Sequence, residues 1–209
     1  VTSSKETIEW AARHNFPITP GLTTFPLYVR EDIIRYYARQ LRAHGHQITP
    51  DHLIMQADVY VADSKEQALK ENGPFALYFY QTLFSHGNTT EAVIQTQQQY
   101  LSERSHDYMR PESRRAVSGD RQSYRGMTEE RLRARVETLP WGTPDEVYQR
   151  LVAEADQIGA NILLVSLNRG AMPHELFMNQ IHRFAHEVLP HLKAHQVTSV
   201  PWAEELSEY

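Results

Sequence analysis

Apolar positions recur at spacings of three and four along much of the chain, broken by short β-rich runs, the pattern of helices alternating with strands. A first helix is expected over Lys5–His14, with Ile8, Ala11 and Ala12 on one face. Phe16–Thr19 reads as a strand and Pro20-Gly21 as the turn that ends it. A second helix covers Val29–Ala43, where Ile33, Ile34, Tyr37 and Leu41 form a stripe that Gly45 closes. The clearest strand is Leu53–Ala62, where Val59 and Val61 alternate with Tyr60. Ser64-Lys65-Glu66-Gln67 then has the spacing of a capping box. The helix it starts is interrupted at Gly73-Pro74, aromatic residues resume over Phe75–Phe84, and a polar helix is expected over Thr90–Glu103.

The pattern fails between Arg104 and Arg125, where six arginines stand among few aliphatic residues, so a long mobile excursion is expected there. Order returns near Thr128. Thr143, Pro144 and Glu146 suit the cap, first and third positions of another helix, and Val147, Leu151, Ala155 and Ile158 are its buried stripe up to Gly159. Asn161–Leu167 is a continuous apolar run, as in strands buried on both faces of a parallel sheet. A final helix, His174–His195, is expected to bury Leu176, Phe177, Ile181, Phe184, Val188 and Leu192. Three complete strands, with the end of a fourth at Val1-Thr2, amount to half of an eight-unit barrel.

The 209 residues, 41% of them apolar, suffice for one core, and 21 basic against 26 acidic residues leave a formal charge of −5. That balance argues against a general nucleic-acid or membrane-surface partner. Without cysteine there is no disulfide, thiolate metal site or Cys nucleophile, which fits a reducing compartment. No signal-peptide pattern follows Val1, and no run approaches the roughly 20 apolar residues of a membrane span, so a cytoplasmic protein is expected. Val1 in place of an initiator Met suggests a processed, trimmed or fragmentary chain.

Ser3-Ser4-Lys5-Glu6-Thr7 lies where a strand ends and a helix begins. Ser4 is a good N-cap and Thr7 adds a hydroxyl to the same turn, an arrangement that serves plain capping or an anion such as phosphate. His182 with His186 and His191 with His195 have the spacing of metal pairs, but no zinc-protease Glu stands between them, and surface histidines are the simpler reading. No metal site is expected. Asp145 and Glu146 are explained by a helix start.

Several segments occur in a telling order: Ser3-Ser4-x-x-Thr7-x-Glu9-Trp10-Ala11-Ala12, Phe16-Pro17-Ile18, Asp58-Val59-Tyr60-Val61-Ala62-Asp63, Gly142-Thr143-Pro144-Asp145-Glu146-Val147 and Phe184-Ala185-His186-Glu187-Val188-Leu189-Pro190. Together they resemble the C-terminal half of the bacterial-luciferase-like flavin-dependent monooxygenases. The resemblance implies an α/β fold, a partial (β/α)8 TIM barrel of units five to eight over residues 1–195, with a loop insertion at about 104–127 before the last strand and a tail at 196–209. It implies reduced FMN as cofactor, O2 and a small organic substrate, and a separate flavin reductase. Ser3, Ser4 and Thr7 would hold the flavin phosphate. Gly21 and Leu22 would lie by the flavin ring, where luciferase has Ser and Trp. Arg121 and Arg125, in the loop that shields the flavin, would reach phosphate or substrate.

The resemblance places the catalytic residues in strands one to four, so this chain alone is expected not to be a competent enzyme, and its open edges to be covered by a complementary N-terminal half or a second copy. Alternatives are a deazaflavin-dependent oxidoreductase on the same scaffold, a non-catalytic flavin-binding or assembly subunit, and a proteolytic product.

Overall fold

The computed structural model describes residues 3–21, 25–83, 104–117 and 127–203. Helices α1 (Lys5–Arg13) and α2 (Leu27–Ala43) precede a short 3-10 turn (Pro50–His52), strands β1 (Ile54–Asp58) and β2 (Tyr60–Val61), and helix α3 (Lys65–Tyr78), which runs into a π turn over Phe79–Leu83. Then come α4 (residues 111–117), α5 (Glu129–Val136), β3 (Trp141–Gly142), α6 (Pro144–Ile158), β4 (Ile162–Ser166), α7 (His174–Arg183), a second π turn (Phe184–Val188) and α8 (Leu189–Ala194).

The run from Leu53 to Val61 is the axis of the sheet. On one edge β1 pairs in parallel with β4, from Ile54 opposite Ile162 to Asp58 opposite Ser166. On the other, Leu53 takes Ile18 in a parallel bridge, and Tyr60 and Val61 take Trp141 and Gly142. Parallel neighbours need crossovers, which the helices provide. Alternation along the axis separates two cores. Met55, Ala57, Val59 and Val61 pack with Ile8, Val29, Ile33, Leu41 and Leu151, whereas Tyr60 and Ala62 pack with Ala68, Leu132 and Trp141.

The helix starts follow their caps. Thr143 accepts from the Glu146 amide at 3.3 Å while the Glu146 carboxylate accepts from the Thr143 amide at 2.9 Å. Ser64 accepts from the Gln67 amide at 3.1 Å, but Gln67 reaches back one residue further than a capping box requires, to the Asp63 amide at 3.2 Å. α3 is not interrupted at Gly73-Pro74. Pro74 and Lys70, whose carbonyl loses its amide partner, are both exposed, and the helix continues.

β4 also departs from its pattern. Among the described residues it is an edge strand rather than one buried on both faces, and Leu164 keeps 55% of its surface exposed with Ile162 beside it. The final helix carries a π turn just before Pro190, which has no amide to give the preceding turn.

The buried residue of α7 is Gln180, not Ile181. The Val61 amide donates to its Oε1 at 2.8 Å and its Nε2 donates to the Val61 carbonyl at 3.0 Å, so one side chain replaces a strand neighbour. Gln180→Leu orphans two buried backbone groups and should lower the unfolding free energy by about 2 kcal/mol, measured by urea titration.

Among the described residues no helix is long and apolar enough to cross a membrane.

Candidate functional site

Ser4 is the N-cap of α1 with extended backbone (φ −77°, ψ 139°), which turns the first helical amides outward. Its hydroxyl does not cap the helix. It donates instead to Thr7 Oγ1 at 2.8 Å, so the two hydroxyls stand side by side over the first turn. The Lys5 amide is taken by the Ser105 carbonyl at 2.8 Å. The next two amides, of Glu6 and Thr7, have no acceptor among the described residues. Two such amides at the positive end of a helix, with two adjacent hydroxyls, form a cradle for an anion. The Glu6 carboxylate on the same turn would oppose one, and Ser105 Oγ holds it at 3.4 Å.

The described start of the arginine-rich excursion packs against this turn. Lys5 Nζ pairs with Asp107 at 2.9 Å, which raises the lysine's pKa, and Tyr108 OH donates to the Ser3 carbonyl at 2.5 Å. His106, 1% exposed, brings Nε2 to 3.3 Å from Ser3 Oγ. Arg110 fastens the segment to α2, its Nε pairing with Asp32 at 2.7 Å and its amide donating to the other oxygen at 2.9 Å. The Tyr108 ring stacks on Tyr36 at 4.3 Å. Residues 104–110 thus brace the head of α1, where the Ser4 and Thr7 hydroxyls meet each other and the Ser3 hydroxyl meets His106. His106 and Tyr108 were missed. Their one signal was a histidine and a tyrosine within three residues of each other in an otherwise basic stretch.

Burial pushes the hydroxyls of Tyr36, Tyr37, Tyr60 and Tyr108 above their ordinary value. An acid whose pKa is raised by folding stabilises the fold below its unfolded value and loses that contribution as pH rises through the folded one. Stability should therefore fall once pH passes about 10, the ordinary tyrosine value, as thermal melts against pH would register.

Gly21 is buried with φ +75°, and a Cβ there would run into Phe25 and Ile33, so the turn and the packing of α2 already require glycine. Leu22, Arg121 and Arg125 lie outside the described residues.

At the C-terminal ends of β1 and β4, Asp58 and Arg169 form an ion pair in which both residues are buried. Arg169 also donates to Tyr80 OH at 3.3 Å and lies 4.8 Å over the Phe79 ring, so the π turn after α3 is pinned to the strand ends. Burial pushes the guanidinium down to about 10, still charged at neutral pH. Its Nε is buried without a partner. The pairing of Asp58 with a residue 111 positions on left no trace in either local pattern.

His182 and His186 are exposed with parallel rings, and His195 bonds Asp156 at 2.8 Å. Among the described residues no group of three or more His, Asp or Glu could hold a metal.

The described strands pair in parallel, and the Ser4 and Thr7 hydroxyls stand over the first turn of α1. The family model for luciferase-like monooxygenases matches residues 2–161. The chain therefore belongs to the luciferase-like monooxygenase family. No curated protein sequence matches it. Among solved structures it is similar to the monooxygenase RslO1 from Streptomyces bottropensis, with 17% identity and a TM-score of 0.55, over 91% of this chain and 46% of that one. It is also similar to the oxygenating constituent of 3,6-diketocamphane monooxygenase, a type II Baeyer-Villiger monooxygenase from the CAM plasmid of Pseudomonas putida solved with FMN, with 18% identity, a TM-score of 0.56, and coverage of 90% and 46%. These likenesses are of fold, and the chain spans less than half the length of either structure.

Proposed function

We propose that the chain supplies the flavin phosphate site and part of the active-site wall of a flavin-dependent monooxygenase that uses reduced FMN and O2 to oxidise a small organic substrate. The observation that carries this reading is the α1 cradle, where the amides of Glu6 and Thr7, without an acceptor among the described residues, stand beside the hydroxyls of Ser4 and Thr7 in a member of this family. Ser3, Ser4 and Thr7 hold the phosphate, Gly21 and Leu22 lie by the ring, and Arg121 and Arg125 serve phosphate or substrate. The bound reduced flavin supplies the electrons for oxygen activation; the protein's task is to orient it and keep water away.

The reading of units five to eight of a (β/α)8 barrel is supported by the all-parallel pairing and by the share of the solved relatives that the chain spans. The exposed side of β4 is then where a complementary half or a second copy closes the sheet, bringing the catalytic residues. The P. putida relative is an oxygenating constituent, which supports a separate reductase as electron source. The absence of cysteine supports a cytoplasmic setting.

Fluorescence titration with FMN and riboflavin tests the phosphate site: FMN should bind at least about tenfold tighter, since charge-assisted hydrogen bonds are worth about 1.5–3 kcal/mol. Equal affinities would count against it. Leu164→Asp should shift the chain toward monomer on size exclusion, because it puts a charge on a side chain that leaves 55% of its surface exposed.

A further inference from the structure

We propose that His106 is a positioning residue of the α1 cradle, setting the direction of the Ser3 hydroxyl so that it donates to a bound phosphate. This inference rests on the reading that α1 takes the phosphate of FMN.

Three observations lead to it. Ser3 immediately precedes the N-cap, and its backbone is fixed by the Tyr108 hydroxyl on its carbonyl at 2.5 Å. With the backbone held, the hydroxyl retains only rotation about its own bonds, and His106 Nε2 stands 3.3 Å from the oxygen. The imidazole cannot swing away, because His106 is 1% exposed and its segment is anchored at Lys5, Ser3 and Asp32.

A serine hydroxyl has one proton and two lone pairs. If Nε2 accepts that proton, the lone pairs are left for the phosphate oxygens and repel them. If Nε2 carries a proton and donates it to Ser3, the serine proton is released toward the anion. A phosphate in the cradle therefore selects the state of His106 with hydrogen on Nε2, and His106 in turn makes Ser3 a donor. The contribution is specific to the phosphate end, since riboflavin offers no charge there. Brace and cradle become one unit, and loading the cradle tightens residues 105–108 onto α1.

The test compares affinities for FMN and riboflavin in the full chain carrying His106→Phe, His106→Gln or Ser3→Ala, and in the Ser3→Ala/His106→Phe double variant. Phe keeps volume without hydrogen bonding, and Gln places an amide donor near the Nε2 position. His106→Phe should weaken FMN by about threefold, since Ser3 keeps its proton and loses only its set direction, Ser3→Ala by about tenfold, since the donor itself is gone, and both should leave riboflavin unchanged. His106→Gln should recover most of the loss. Because the two residues act through one hydroxyl, the double variant should be no weaker than the poorer single variant.

The proposal is overturned if His106→Phe leaves the FMN-to-riboflavin ratio unchanged, or lowers both affinities equally along with the melting temperature, as a purely structural brace would. If His106→Phe fails to fold, His106→Gln and Ser3→Ala decide: an unchanged ratio in Ser3→Ala overturns it. A wild-type chain with no preference for FMN would instead overturn the phosphate reading beneath it.

Discussion

Arg169→Met should lower the unfolding free energy of the chain by about 3–5 kcal/mol, the usual cost of removing one partner from a buried pair. The loss arises chiefly from Asp58, which keeps its place at the end of β1 and is left as an uncompensated buried charge. Asp58→Asn should cost less, because the amide still offers an oxygen to the guanidinium. The joint replacement Asp58→Leu/Arg169→Met should recover part of the loss, since exchanging a buried pair for apolar side chains of similar volume is often neutral. The melting of these variants has a local readout as well. Arg169 holds Tyr80 and Phe79, so in Arg169→Met the π turn after α3 should lose hydrogen-exchange protection before the rest of the fold. A loss under about 1 kcal/mol in Arg169→Met would show that the pair contributes little to holding the strand ends.

Ser4→Ala/Thr7→Val should weaken FMN about 100-fold relative to riboflavin as two charge-assisted hydrogen bonds vanish, leaving the preference that the Glu6 and Thr7 amides and Ser3 still supply. Neither change should unfold α1. The Ser4 hydroxyl makes no cap to the backbone, and Thr7 is exposed; Ser4 donates to Thr7 Oγ1 and neither hydroxyl is bonded to the core. The melting temperature should stay within a few degrees while the FMN-to-riboflavin ratio falls about 100-fold. Isothermal calorimetry with both flavins measures the preference directly, and a variant whose FMN-to-riboflavin ratio equals that of the wild type would move the phosphate site away from α1.

The local readings in the sequence were those set by one element. Ile8, Ala11 and Ala12 mark the buried face of α1, and Thr143-Pro144-x-Glu146 fixes the start of α6, because caps and periodicity are decided within a few residues. The meeting of the Ser4 and Thr7 hydroxyls was legible for the same reason, since the N-cap and the third helical position share the first turn of α1. What depends on distant partners was not legible. Gln180 pairs with Val61 across 119 positions, and His106 meets Ser3 across 103. The apolar run of β4 gave the right element with the wrong burial, because composition reports what a strand is suited to pack against and not which neighbour is present. Pro74 reads as a break in any local scheme, yet α3 tolerates it where Lys70 and Pro74 are both exposed.

The most direct measurement is an amide nitrogen–proton correlation spectrum of the chain during titration with FMN, riboflavin and inorganic phosphate. The Glu6 and Thr7 amide signals should shift strongly and saturably with FMN and with phosphate, and stay near their free positions with riboflavin. If FMN binds while these two amides remain unmoved, the phosphate lies elsewhere and the functional reading of α1 is wrong.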